Sequence, residues 1–354
     1  MDFLAMFTPK AIAAYWAENV SNRIPYMGEG LFPGQKKAGL DLSWIKGSKG
    51  LPVSLMPSAF DAKATYRDRI GVKSVNTEMP FFREGFKIKE KDRQDLLRAV
   101  DRGDGVARAI IAQIYNDAAE LIEGANVAAE RMRMALLFPD SGNMQIVIQA
   151  NGVDYSYNYD PVGAWKLKHY TALTSTDVWS DYDGSDPLDD ISTVRDTIAQ
   201  ATGEKIRYAI MNTTTFNHLV KNESIKNRYI TKNGLALGYL TKGEVRAVIE
   251  DTTEVIPVVY DKQYKDESGN AAKFVPDGYV SFVPEGNLGN TWYGTTPEEA
   301  DLRASNQAEV EIVNTGVAVT TEIIPHPVNK NIIASEIVLP SFERMDSTYL
   351  LKVL

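Results

Sequence analysis

Apolar residues recur at every third or fourth position most regularly in one stretch of the chain. Ala107, Ile110, Ile111, Ile114, Ala118, Leu121 and Ile122 form a continuous face between Val106 and Glu123, the 3.6-residue period of a helix buried on one side. Gly124 interrupts the face. Val127, Arg131, Met134 and Leu137 then keep the spacing up to Pro139, so the pattern predicts one helix over 106–137. At 1.5 Å per residue it is about 45 Å long, which suits a structural spine better than a compact enzyme. Ile12, Tyr15, Trp16 and Val20 predict a short helix over 11–20 after Pro9. Ile191, Val194 and Ile198 predict another over 189–200, with Asp189 and Asp190 as caps and Gly203 at its end. A further helix is predicted over 213–223.

Alternation marks the strands. The segments 146–150 and 155–159 flank Asn151-Gly152, a strong hairpin signal. Strand-like runs follow at 206–211, 252–260, 309–314, 316–324, 332–339 and 349–354. The last six residues are mostly apolar and are expected to pack into a sheet, beside the 145–159 hairpin. That places one domain on segments far apart in sequence, around a compact α+β unit at about 160–300. Between the two N-terminal helices the character changes. Gly28, Gly30, Gly34, Gly39, Gly47 and Gly50 alternate with Pro25, Pro33, Pro52 and Pro57, too many breakers for a core element. The return path over 72–88 reads as strand, turn and strand. Together these passes predict a long two-stranded loop with little core of its own.

Composition narrows the chemistry. The 354 residues are 44% hydrophobic and 24% charged, a folded composition. With 38 Lys plus Arg against 47 Asp plus Glu the net charge is −9, unsuited to wrapping nucleic acid over the whole surface. The absence of cysteine excludes disulfides, thiolate metal sites and cysteine nucleophiles. The N-terminus shows no secretory signal, and no apolar run reaches membrane-spanning length, so folding in the cytoplasm is expected.

The polar candidates weigh lightly. Residues 286–296, GNLGNTWYGTT, carry Gly286, Gly289 and Gly294, a spacing that matches neither a dinucleotide fingerprint nor a phosphate loop. Thr296-Pro297-Glu298-Glu299 reads instead as the start of a short helix. Asp177, Asp181, Asp183, Asp186, Asp189 and Asp190 could hold a hard cation, but the spacing fits no calcium loop, and a solvated turn entering a helix is the simpler account. His169, His218 and His326 are far apart, and no G-x-S-x-G occurs. Catalytic, cofactor and metal residues are therefore expected to be absent. A glycine-proline arm that buries little against its own body becomes worth ordering when it lies across a neighbouring copy.

Three stretches add a resemblance: GLFPGQKKAGLDLSWIKGSKGLPVSLMPSAFD over 30–61, NTEMPFFREGFKIKEKDR over 76–93, and FVPDGYVSFVPEGNLGNTWYGTTPEE over 274–299 together with LPSFERMDSTYL over 339–350. In these the chain resembles the lambda-type major capsid proteins of tailed bacteriophages, which have the HK97-type capsid fold. The resemblance implies an α+β fold with an N-terminal arm at 1–27 and an extended two-stranded loop at 28–88. A peripheral domain with a spine helix follows at 89–159, an axial domain at 160–310, and the C-terminal strands of the peripheral domain at 311–354. It implies a structural head protein, not an enzyme, that assembles through pentamers and hexamers into an icosahedral shell around double-stranded DNA. Lys36, Lys37, Trp44, Lys46, Lys49, Phe81, Phe82 and Arg83 are the implied inter-subunit loop residues, and Trp292 and Tyr293 the implied axial-domain contacts. Implied partners are other copies of the chain, a separate scaffolding protein, a portal protein, a decoration protein, and packaged DNA bound without sequence preference; no membrane is involved. The implied location is the virion capsid, assembled in the cytoplasm of a bacterial host. Lys–Asn crosslinks, used by some HK97-type shells, are not expected. An encapsulin-like nanocompartment shell and an uncharacterised α+β enzyme are the alternatives.

Overall fold

The computed structural model describes residues 6–20, 25–46, 73–101, 105–150, 153–233, 240–266, 268–302 and 308–354. Its helices are α1 Pro9–Val20, α2 Met27–Leu31, α3 Glu90–Asp101, α4 Gly105–Leu137, α5 Ala164–His169, α6 Pro187–Thr202, α7 Thr213–Lys221, α8 Glu223–Asn233 and α9 Lys242–Thr253. The strands run β1 Gly34–Lys36, β2 Asp41–Lys46, β3 Lys73–Glu78, β4 Phe81–Ile88, β5 Gln145–Ala150, β6 Val153–Asn158, β7 Tyr170–Ala172, β8 Ile206–Met211 and β9 Ile256–Val259. They continue with β10 Gln263–Lys265, β11 Ala271–Lys273, β12 Tyr279–Pro284, β13 Asn290–Tyr293, β14 Glu309–Val313, β15 Val317–Pro325, β16 Val328–Ser341 and β17 Tyr349–Lys352. Contacts divide the chain into a first unit, Met1–Leu42, Asn76–Met132 and Asn290–Ser341, and a second, Ser43–Val75, Arg133–Gly289 and Phe342–Leu354.

The first unit is organised by β16. This strand pairs antiparallel with β15, with β4 and, at its C-terminal end, with β13, which in turn takes β1 in parallel. The strand order is β1-β13-β16-β15-β14, with β4 added on β16. The predicted helical stripe is buried here: Ala107, Ile114, Ala118 and Ile122 pack with Phe7, Ile12 and Trp16 at α1 and with Ile88, Val319 and Ile332 of the sheet. Helix α4 runs unbroken for 33 residues, about 50 Å, and Gly124 lies on its exposed side without interrupting it. The region expected to have little core is anchored at its roots, where Phe32, Leu42, Met79 and Ile88 are buried. Instead of remaining extended from Gly28, it opens with α2, because the buried Glu130 carboxylate accepts the Gly28 N–H at 2.9 Å. The strand, turn and strand expected over 72–88 are β3 and β4, while β3 pairs with β2 in a two-stranded sheet of its own. Residues 47–72 lie outside the described residues.

The second unit is a five-stranded sheet, β7-β17-β12-β8-β9. Its core joins Ile191, Val194 and Ile198 of α6, Phe216 of α7, Ile225 of α8 and Val245 and Ile249 of α9 to Ala209, Phe282 and Leu351 of the sheet. Asp186, not Asp189 or Asp190, caps α6, its carboxylate accepting from Leu188 and Asp189 N–H; Pro187 occupies the first turn, which fixes the cap one residue earlier. Gly203 closes the helix at φ 75°. The strand expected over 252–260 is shortened to β9 because Thr252 and Thr253 finish α9 and Glu254 takes a left-handed φ of 61°. The expected hairpin forms as β5–β6, with Ile146 opposite Tyr157 and Ile148 opposite Tyr155. The C-terminal strand does enter a sheet, but between β7 and β12 rather than beside that hairpin. Consecutive residues Leu350 and Leu351 are both buried, which needs an interior strand covered on both faces. A lone two-stranded ribbon that leaves Val147 exposed offers no such position.

Candidate inter-subunit surfaces

Charge gathers where β1 and β4 enter the first sheet. Lys36 Nζ lies 2.6 Å from Glu299 Oε2, and Arg83 Nη2 lies 2.5 Å from Glu298 Oε1. The Arg83 guanidinium also sits 4.6 Å above the ring of Phe81. Both acids belong to the π-helical turn Glu298–Leu302, whose start is held by Thr296: its hydroxyl oxygen accepts the Glu299 N–H at 3.3 Å and its carbonyl accepts the Ala300 N–H. Glu298 is buried, while Arg83 keeps about half of its side chain in solvent at 49%. The structure therefore brings Lys36, Phe81 and Arg83 together around two glutamates that the sequence suggested only as the start of a helix. Lys37 donates its N–H to the Tyr293 carbonyl at 2.8 Å, and Phe82 is half-buried beside Arg83. Trp44 and Lys46 are placed by their positions in β2 alone, and Lys49 lies outside the described residues.

The glycine-rich stretch 286–296 resolves into two jobs. In the second unit Gly286 turns the chain at φ 88°, and Arg344 fastens the turn. Its guanidinium donates to the carbonyls of Glu285 at 3.1 Å and Asn287 at 2.9 Å and pairs with the Glu204 carboxylate at 2.5 Å. Its own N–H reaches the Leu288 carbonyl. In the first unit Trp292 donates its indole N–H to Ser341 Oγ at 2.9 Å, and Tyr293 is buried. A Cβ on Gly316 would strike the Tyr293 ring, and one on Gly294 would come within 2.6 Å of Ile337 Cγ2. These glycines admit a tyrosine and a neighbouring strand rather than a phosphate. The contact division falls between Gly289 and Asn290, so Trp292 and Tyr293 sit in the sheet of β1 and β16 and not with residues 160–289. Nothing local in the sequence marks Arg344 as the partner of Glu204; only its place in the 339–350 phrase singles out the region.

Aspartates of the acidic run make structural contacts. Asp181 accepts the Gly184 N–H at 2.9 Å, and Asp186 also accepts the Ser224 hydroxyl at 2.9 Å. Asp190 accepts the Trp179 indole N–H at 2.9 Å, and burial, followed by the charges of Asp189, Asp186 and Asp177, pushes its carboxyl up to about 6. His169, stacked on Trp165, is shifted below the usual histidine range by burial, and His218 likewise by burial and then Lys221. His326 lies in the exposed β15–β16 turn. Among the described residues no group of three or more His, Asp or Glu is placed to hold a metal ion, and no helix is long and apolar enough to cross a membrane. Cavities of about 120 and 360 Å³ open on the described part of the second unit. The smaller is lined by Asn143, Asp160 and Lys166 among others, without a nucleophile–base pair.

A long helix packed on a sheet organised by one fourteen-residue strand, together with a second α+β unit and a two-stranded loop, defines the HK97-type capsid fold. Solved structures with this fold include a protein assigned as the capsid protein of a prophage of E. coli CFT073, at 14% identity and TM-score 0.61, covering 98% of this chain and 99% of that one. A phage-related protein of Bordetella bronchiseptica RB50 matches at 14% identity and TM-score 0.54, covering 98% and 96%. The chain belongs to the phage major capsid protein E family, whose model matches residues 8–353. It is a shell-forming capsid protein located in the virion, of a family of structural proteins rather than enzymes. No curated protein matches it by sequence.

Proposed function

We propose that copies of this chain associate as pentamers and hexamers and close into an icosahedral shell around double-stranded DNA. The observation that carries the reading is the family match across residues 8–353. Residues 160–289 with β17 act as the axial body around the symmetry axes. Residues 1–27 act as the arm, the first sheet with α4 as the peripheral body, and β2–β3 as the extended loop laid over a neighbour. Lys37, Trp44, Lys46, Lys49 and Phe82 reach that neighbour, while Lys36, Phe81 and Arg83 set the angle of the loop through Glu299 and Glu298. Each contact is weak, and many are made together, so closure supplies the stability. The chain performs no catalysis. A separate scaffolding protein, a portal protein and a decoration protein are its partners, and DNA is contained without sequence-specific contacts, consistent with a net charge of −9.

The test is sedimentation velocity on purified protein with negative-stain images of the fastest fraction. Megadalton shells or discrete pentamers and hexamers are expected. A species that stays at 39.3 kDa with scaffolding protein present overturns the reading. Nuclease-protected DNA in shells from infected cells separates a phage head from an encapsulin-like compartment, which would hold protein.

A further inference from the structure

Helix α5 presents Leu167 at 85% exposure, and Val162, just before the helix, is at 75%; they are the two most exposed of the large hydrophobic residues described. Neither is on a slack segment. The Asp160 carboxylate accepts the N–H groups of Ala164, Trp165 and Lys166 at 2.9–3.1 Å, and the buried Trp165 donates its indole N–H to the Met345 carbonyl at 2.8 Å. A leucine held outward on a fastened turn is pre-organised for contact, since little ordering remains to be done on binding. Lys166 and Lys168 flank it.

The same unit carries a groove whose carboxylates are complementary in charge to these lysines. The groove, of about 360 Å³, lies between α6, α8 and the end of α9, lined by Asp186, Leu188, Asp189, Asn227, Arg228 and Thr231 among others. Leu188 is the one apolar residue of this lining, and two carboxylates against one guanidinium give the groove a negative balance. Helix α5 runs directly into β7, one edge of the five-stranded sheet, whereas α9 packs on β9, the other edge. Knob and groove are therefore different patches of one unit. Rings close through contacts of this head-to-tail kind, in which each copy offers one patch and receives the other.

We propose that Leu167, with Lys168 beside it, docks into the α6–α8–α9 groove of the adjacent copy, with Lys168 meeting Asp189, and that this contact joins second units within a ring. The proposal rests on the shell-forming reading.

The lack of cysteine in the chain makes a trap unambiguous. One preparation of full-length chain carries Leu167→Cys, and a second carries Asn227→Cys or, separately, Asp189→Cys. After co-assembly and mild oxidation, a disulfide-linked dimer is expected on non-reducing gels for the mixture and not for either variant alone. Lys168→Asp should weaken assembly about tenfold, and adding Asp189→Lys should restore it. Particles that form normally without a mixed disulfide at either groove position overturn the contact. Failure of the unaltered chain to form particles overturns the capsid reading, and this contact with it.

Discussion

Asp190 accepts a hydrogen bond from the indole of the fully buried Trp179, and burial together with three neighbouring aspartates lifts its carboxyl from 3.8 to about 6. Between these two values the folded chain keeps a proton that the unfolded chain has released. The contribution to stability is therefore complete at low pH and is lost as pH rises through 6. His169, lowered by burial, acts in the opposite sense: the unfolded chain takes up a proton first as pH falls through about 6.5, and stability declines. That background cancels when a variant is compared with the parent at each pH. Asp190→Asn keeps an oxygen to accept from Trp179 and removes the charge. It should gain about 1–2 kcal/mol at pH 7.5, after discounting the shift for partial solvent exposure, and nothing at pH 4. Urea unfolding of free subunits, followed by tryptophan fluorescence at both pH values, checks this; an equal gain at the two would refute it. The acidic run was legible as a turn entering a helix. That one of its members meets Trp179 was not, because the contact depends on how the turn folds back.

At the scale of elements, α4 makes the cleanest test. Gly124 is exposed within it, and an added Cβ would have nothing within 4 Å. Gly124→Ala should therefore stabilise free subunits by about 0.5–1 kcal/mol, seen as a higher midpoint in thermal unfolding, whereas an unchanged or lower midpoint would mean that the helix uses the glycine. A second test concerns the turn that carries Gly286. Arg344→Met leaves the carbonyls of Glu285 and Asn287 and the carboxylate of Glu204 without their donor. A loss of about 1–3 kcal/mol in denaturant is expected, with faster amide exchange confined to the turn. Periodicity made α4, the β5–β6 hairpin and β14 to β16 readable, because each repeats its pattern over many residues. Helix α8 was not readable: ESIKNRYITKN has Ile225 as its fully buried anchor and otherwise reads as polar. Helix α9 did carry a signal, Thr241 three residues before Glu244, and these form a capping box. The link between Arg344 and Glu204 spans 140 residues, and no local pattern encodes a partner at that distance.

At the scale of the whole chain, both units are assembled from segments far apart in sequence. A linear reading could expect a discontinuous domain but could not assign β13 and β17, four residues each, to the right sheets. Pairing of such short strands is decided by the partners that bury them. The same distributed logic governs how shells hold together. A closed lattice multiplies weak contacts and leaves no free edge, so it needs no covalent bond to persist. The chain has no cysteine for disulfides, and Lys36, one of the loop lysines, has its ammonium paired with Glu299 of its own chain at 2.6 Å. Assembled shells boiled in SDS should therefore run as a single band at 39.3 kDa. A ladder at multiples of that mass would instead mean that lysines of the 28–88 region form isopeptide bonds with neighbouring copies. Lys37→Arg, Lys46→Arg and Lys49→Arg, made singly, would then identify the bonded lysine by loss of the ladder, since arginine keeps the charge and cannot form the bond.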